Sequence, residues 1–478
     1  MSLLIRNGMI VTAERSFVGD VLCEGETIAA IGENLEAPAD AEVVDATGRY
    51  VFPGFIDPHV HIYLPFMGTF SKDDYESASK AALIGGTTTL IEMCCPSRQD
   101  DPLEALALWR GKAEGLSACD FTFHLGVTKF DEETPAKLKK AVEEEGVASF
   151  KVFLAYKGAF GIDDNELYQT LKTAKELGVI VTAHCENADL VSALQAKLVA
   201  EGKVGPEWHE PSRPVQVEAE GCHHLMSFAE LTGAHVYVVH TSCAEAVQAI
   251  SEAKARGVNA WIETVIPYLV LDSSYAERPD FEGAKWVMSP PIRDKEHQPI
   301  LWQGLADGII STVGTDHAPF DFATQKHMGH PDADKAVNAD FSPRGEAANF
   351  TLIPNGIPSI EDRINLLYTE GVKTGKIDLQ TLVKVGSTEA AKIFGLYPRK
   401  GEIAVGSDAV LVVYDPDYRG TISVETQTMN TDYSGFEGVA IEGRPSLVTV
   451  RGEVAVRDGE FVGTLGRGEY LKRKPTHF

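Results

Sequence analysis

Phe55-Ile56-Asp57-Pro58-His59-Val60-His61 is an apolar run that closes on two histidines one residue apart. Alternate residues of a β-strand point to the same side, so an extended run of this kind can present both imidazoles to one metal ion. A satisfied histidine pair at a strand end would show the same spacing. The rest of the chain separates the two readings, because four more candidate ligands end or sit in runs of the same texture. Lys151 lies in Ala148-Ser149-Phe150-Lys151-Val152-Phe153, and His184 ends Val179-Ile180-Val181-Thr182-Ala183-His184. His240 ends Val236-Tyr237-Val238-Val239-His240, and Asp316 ends Ile310-Ser311-Thr312-Val313-Gly314-Thr315-Asp316. Each run is rich in apolar or β-branched residues and leads into a polar or helix-starting segment, the pattern of buried parallel strands. Parallel strands alternating with helices build a βα barrel, which gathers its chemistry at the C-terminal ends of several strands.

The chain has 478 residues, 44% of them hydrophobic, which is more than one simple barrel needs. Short strand-like pieces separated by glycines and polar turns fill the first fifty residues, among them Leu3-Leu4-Ile5 and Thr27-Ile28-Ala29-Ala30-Ile31. The same texture returns in Ala409-Val410-Leu411-Val412-Val413-Tyr414 and Ser446-Leu447-Val448-Thr449-Val450. The expected fold class is therefore α/β, a TIM-like (β/α)8 barrel with a smaller β-sandwich domain formed from both chain ends. The expected boundaries are 1–52 and 399–463 for the sandwich and 53–398 for the barrel. Amphipathic stretches near Tyr75 to Leu83, Asn165 to Leu177 and Cys243 to Arg256 supply barrel helices. Residues 464–478 are polar, basic and turn-rich and read as a surface tail or an arm onto a neighbouring subunit.

A net charge of −27 argues against nucleic acid and anionic membrane surfaces as partners, and it describes a solvated acidic surface. Glu143-Glu144-Glu145 reads as one exposed helix face of that surface. No N-terminal stretch combines a basic region, an apolar core and a cleavage site, and no apolar run reaches membrane-spanning length, so a cytoplasmic protein is expected. The seven scattered cysteines fit reduced thiols, with Cys94 and Cys95 read as buried barrel residues.

His59 and His61 with Gly86-Thr87-Thr88-Thr89, Lys151, His184, His240 and Asp316, in this order, resemble the cyclic amidohydrolases of the amidohydrolase superfamily. More narrowly, the chain resembles the dihydropyrimidinase and D-hydantoinase family over nearly its whole length. The segments that carry the resemblance are His61-Ile62-Tyr63-Leu64-Pro65-Phe66-Met67, Ser149 to Lys157, Thr182 to Asn187, Met288-Ser289-Pro290-Pro291-Ile292-Arg293, Gly314-Thr315-Asp316-His317 and Ile353-Pro354-Asn355-Gly356. An ammonium has donors and no acceptor, so Lys151 is either modified or not a ligand. The resemblance implies that it is carboxylated by CO2 to N6-carboxylysine, whose carbamate bridges two divalent metal ions. It likewise implies that His59, His61 and Asp316 hold one ion and that His184 and His240 hold the other.

Zinc suits such a donor set, with manganese or cobalt as possible occupants. A hydroxide bridging the ions would be the nucleophile, and Asp316 the base that passes its proton to the leaving ring nitrogen. Tyr156 resembles the family tyrosine that donates to the oxyanion, although read alone it is more readily a packing aromatic. By match, main-chain groups of Ser289 and Asn355 would read the ring edge. Leu64, Phe66 and Phe153, with Met67 nearby, would face the ring substituent. His317, next to Asp316, would face away from the metals if the strand pattern continues.

The expected activity is opening of the cyclic amide of 5,6-dihydropyrimidines or 5-substituted hydantoins to N-carbamoyl amino acids, by a homotetramer. Allantoinase is the alternative within the class. A non-catalytic dihydropyrimidinase-like scaffold protein is the alternative from another class, and it would have no physical use for six ligands. One departure from the family pattern is a Gly-, Asp-, Lys- and His-rich stretch, Gln325 to Lys335 continuing through Arg344-Gly345-Glu346. It reads as a lengthened loop beside the active-site mouth, bearing on substrate range rather than on reaction class.

Overall fold

The computed structural model describes residues 2–476. Its centre is a parallel barrel whose eight strands follow one another in chain order: Phe55–Val60, Thr87–Cys94, Asp120–Gly126, Ser149–Phe153, Ile180–His184, Val236–Val238, Ala260–Val265 and Thr312–Gly314. Seven of the eight are buried at every position, because helices cover the outer face and side chains fill the inner one. The amphipathic stretches form the helices Tyr75–Ile84, Asp164–Leu177 and Ala244–Ala255. Asp74 and Asp163 open the first two with capping boxes, which satisfy backbone N–H groups that an unfinished helical turn leaves free.

Closure is made by backbone bonds from His61 N to His317 O (2.8 Å) and from Asp316 N to His59 O (2.9 Å). The wholly buried Arg363 staples the same seam, donating from Nη1 to Ile56 O (2.8 Å) and Val313 O (2.7 Å) and from Nη2 to Thr87 Oγ1 (3.0 Å).

The two chain ends build one nine-stranded sheet, with Leu411–Thr421 pairing antiparallel to Tyr50–Pro53. The expected sandwich takes this form, and Leu3, Ile5, Val21, Leu411, Val413 and Leu447 from both ends share its core. Gly54 carries the chain from sheet to barrel. A Cβ there would lie 2.1 Å from Thr88 Oγ1, so the two sheets can approach this closely only without a side chain.

The C-terminal segment is not the loose surface tail that its composition suggests, but packs on the barrel of its own chain. Phe121 N bonds to Glu469 O (3.0 Å) and Leu471 N to Phe121 O (2.8 Å), so the segment lies along the third barrel strand. Arg473 is buried and donates to Thr122 Oγ1 (3.1 Å), Ser149 Oγ (3.0 Å) and Phe123 O. A guanidinium satisfied by hydroxyls and carbonyls is tolerated in such a place, and its three-carbon stem packs against apolar neighbours.

Barrel, sheet and tail meet at Asp120, a fully buried carboxylate that pairs with Lys400 and Arg451 and accepts from Glu469 N (3.0 Å). Asp120→Asn takes the shared buried anion from Lys400, which keeps Asp408, and from Arg451, which keeps the half-exposed Glu26 and Glu469, and we expect a loss of about 1–3 kcal/mol, read as a lower urea midpoint at unchanged m. Burial raises the Asp120 pKa, but Lys400 and Arg451 outweigh it and hold the carboxyl below its usual range. A depressed folded pKa gives stability that is present above the unfolded value of about 4 and is lost as pH falls through the folded value. The wild type should therefore lose stability on that acid limb more steeply than the variant.

Candidate active site and metal centre

The six expected ligands converge at the C-terminal mouth of the barrel. His59 lies in the first strand and His61 just past it, Lys151 in the fourth, and His184 at the end of the fifth. His240 follows the sixth strand by two residues, and Asp316 the eighth by two. Donor atoms of His59, His240 and Asp316 lie within 4.8 Å of one another, the one such group of three among the described residues. Asp316 Oδ1 is 3.2 Å from His59 Nε2 and 3.3 Å from His61 Nε2, and His184 Nδ1 is 2.9 Å from His240 Nε2.

The far nitrogens decide which lone pairs face inward. His59 Nδ1 meets Glu263 Oε1 at 2.7 Å, and His184 Nε2 meets Glu186 Oε2 at 2.7 Å. With its proton drawn to the carboxylate, each ring turns the lone pair of its other nitrogen toward the centre. Glu263 is itself held by Tyr237 Oη (2.7 Å) and the His240 N–H (2.9 Å), and Glu186 by Arg213 Nη1 (2.6 Å). Burial pushes Glu263 up to about 7. It pushes Glu186 up too, but Arg213 and His184 outweigh it and hold that carboxyl near 2. Burial also takes His59 and His240 well below the usual imidazole value, so both rings are neutral. It lowers the Lys151 amine as well, favouring the uncharged form.

Lys151 Nζ is fully buried and has no hydrogen-bond partner, and His59 Nε2 is likewise buried and unbonded. Buried polar atoms left unpaired are costly, so their convergence on one point needs a compensating ligand. Neutral imidazoles with inward lone pairs, one carboxylate and a buried lysine amine whose charged form burial disfavours are compatible with a divalent metal site, and the residues present fit one.

The site opens into a cavity of about 50 Å3 lined by Leu64, Phe66, Phe153, Tyr156, Ser289 and Asn355 among others, and this leads to an outer pocket of about 670 Å3. All six expected substrate contacts thus border one space. Main-chain groups were expected at Ser289 and Asn355, yet their side chains also matter: Asn355 Nδ2 donates to Ser289 Oγ (2.9 Å) and reaches Tyr156 Oη (3.5 Å). The Tyr156 ring stands edge-on to Phe66 and Phe153 at centroid distances of 5.8 and 6.1 Å, and burial raises its hydroxyl pKa. Tyr156, His240 and Asp316 all have left-handed backbones, with φ of 59°, 39° and 50°. Such conformations cost about 1–3 kcal/mol each for residues with a side chain, and they concentrate where a site aims its groups.

His317 does face away from the centre, with Nε2 on Asp73 Oδ2 at 2.9 Å and Nδ1 accepting from Ser359 N at 3.1 Å. The histidines of the loop after the eighth strand, His327 and His330, pack against Phe281 and stand outside the donor group. Sequence reasoning missed Glu263, Glu186 and Asp57. Asp57 and Glu263 each sit inside an otherwise apolar strand, where a charge must find a partner, and that signal was readable.

Residues 50–455 match the amidohydrolase family. A D-hydantoinase of Geobacillus stearothermophilus is 47% identical over 473 residues, 99% of this chain and 97% of that protein. A dihydropyrimidinase of Rattus norvegicus is 37% identical, over 99% of this chain and 89% of its own length. The solved structure of a D-hydantoinase (dihydropyrimidinase) from Thermus sp. is 62% identical, with full coverage of both chains and a TM-score of 0.94. With the barrel, the inward-facing imidazoles and this likeness over its whole length, the chain belongs to the amidohydrolase family, within its hydantoinase and dihydropyrimidinase group of cyclic amide hydrolases.

Proposed function

We propose that this chain is a binuclear metal hydrolase that opens the ring amide of 5,6-dihydropyrimidines or 5-substituted hydantoins and releases N-carbamoyl amino acids. The observation that supports it most is Lys151 Nζ, left without a hydrogen-bond partner and buried on the same cavity as His61, His184, His240 and Asp316. In this reading the neutral amine adds to CO2 and loses a proton. The resulting carbamate would help hold two divalent cations, one with His59, His61 and Asp316 and the other with His184 and His240. Bound there, divalent ions, zinc first and manganese or cobalt as alternatives, supply Lewis acidity and a water acidified to act near neutral pH.

The chain's own groups do the rest. Asp316, whose carboxyl lies below its usual range and is therefore ionised, takes the proton of the attacking water. It returns that proton to the ring nitrogen as the C–N bond breaks. Tyr156, kept protonated by burial, donates to the oxygen that gains charge. Ser289 and Asn355 pair with the ring's N–H and C=O groups, which must not enter a dry cavity unbonded. Leu64, Phe66 and Phe153 face the substituent on the ring carbon and exclude water around it.

The direct test is turnover of dihydrouracil, a 5-substituted hydantoin and allantoin by zinc-loaded protein. Ring opening of either of the first two supports the reading, and activity confined to allantoin overturns it. Lys151→Ala should lose metal and activity together, whereas retained metal and full rate would refute the carbamate bridge. Tyr156→Phe should keep its metal and lose about 10²–10³-fold in kcat, the usual effect of removing one oxyanion donor. Glu263→Gln should keep the fold but weaken metal binding by about 10–100-fold in a chelator competition, because the partner that orients His59 is impaired.

A further inference from the structure

The loop after the eighth strand contains two adjacent buried polar residues that the mechanism does not use. Gln325 and Lys326 are 3% and 0% exposed. Lys326 Nζ donates to three backbone carbonyls, Val287 O (3.0 Å), Pro354 O (2.7 Å) and Gly356 O (2.7 Å). Three N–H donors meet three acceptors, the full complement of an ammonium. Those carbonyls belong to the two segments that carry Ser289 and Asn355, and Gly356 N bonds directly to Val287 O (2.9 Å) between them.

Gln325 points the other way. Its Nε2 donates to Thr69 Oγ1 (2.9 Å) and Phe70 O (2.6 Å), while its Oε1 accepts from Asp321 N (2.8 Å). Thr69 and Phe70 form the return strand of the small hairpin that pairs with Pro65–Phe66, so Gln325 holds the hairpin that presents Phe66 to the cavity. The loop is also seated without slack, since a Cβ on Gly329 would stand 2.8 Å from Ile353 N and 2.9 Å from Asn349 O.

We propose that Gln325 and Lys326 are a paired positioning device that sets the gap between the apolar wall and the polar edge of the substrate cavity, and thereby the ring substituents the enzyme accepts. The inference rests on the functional reading above and extends it to residues that touch no substrate. Lys326 fixes the groups that pair with the ring itself, which are used alike by every substrate before and during reaction. Its loss therefore raises KM for all rings. Gln325 fixes the wall, which only a substituted ring contacts, so its loss changes discrimination between rings.

The experiment compares hydantoin and 5-phenylhydantoin on zinc-loaded wild type, Lys326→Met and Gln325→Met, with metal content measured for each. The expected result for Lys326→Met is a KM about ten-fold higher for both rings with kcat much less affected. For Gln325→Met it is a five-fold or larger change in the kcat/KM ratio of the two rings at full metal content. Substrate ratios and KM values equal to those of wild type, or losses in kcat that merely follow lost metal, would overturn the proposal. If Lys326→Met does not fold, the ratio in Gln325→Met decides alone, because general loosening of the structure lowers both substrates together. Inactivity of the wild type on both rings would overturn the functional reading, and this inference with it, whereas active wild type with unmoved ratios overturns the inference alone.

Discussion

The seam where the eighth strand returns to the first is the constraint on which the rest of the structure depends, and one buried carboxylate holds it. Asp57 Oδ1 accepts from the backbone N–H groups of His59 and Thr315 (both 3.2 Å), and Oδ2 accepts from Thr315 Oγ1 (2.7 Å). The strand ends that carry His59 and Asp316 are thereby tied to a single side chain. Burial raises the Asp57 pKa and Arg363 opposes that rise, while the arginine also staples the strands on either side. A barrel closed only by strand pairing tolerates a shift in register. One closed on a shared carboxylate does not, because a shift would leave a buried charge without its donors.

The electrostatic pattern around the centre follows from this rigidity. His59 and His184 each rest on a carboxylate, and those carboxylates have opposite surroundings: Glu263 lies among a tyrosine and backbone, Glu186 beside Arg213. Burial is the largest influence on both, but at Glu263 it prevails, whereas at Glu186 Arg213 and His184 together outweigh it. Both arrangements leave a neutral ring with its free lone pair inward. The left-handed backbones of Tyr156, His240 and Asp316 are sustained because the surrounding strands and loops leave those residues no relaxed alternative.

Function is legible in the sequence where chemistry coincides with strand periodicity. His59, His61, Lys151, His184, His240 and Asp316 could be picked out because each interrupts or ends an apolar run, and the structure gathers them at one barrel mouth. Glu263 and Asp57 carried the same signal, a charge within a buried strand, but a carboxylate there could equally have served as a ligand, a base or a salt-bridge partner. The segment that holds Arg473 reads as a surface tail because a basic, turn-rich stretch resembles solvent-exposed chain, yet Arg473 is buried. Its burial rests on hydroxyl and carbonyl acceptors contributed by distant strands.

The sequence by itself determined the architecture and the inventory of reactive groups, because alternation of apolar strands with amphipathic helices is a local property and a barrel places strand ends at one face. Tertiary structure alone decided which nitrogen of His59 and His184 faces inward, that Lys151 Nζ has no hydrogen-bond partner, and that the loop after Asp316 is bolted through Gln325 and Lys326 to the segments that line the cavity. These facts depend on acceptors tens to hundreds of residues away in the chain. Hydrogen-bond satisfaction in a buried site is settled by what the fold brings within about 3 Å, and no local pattern encodes it.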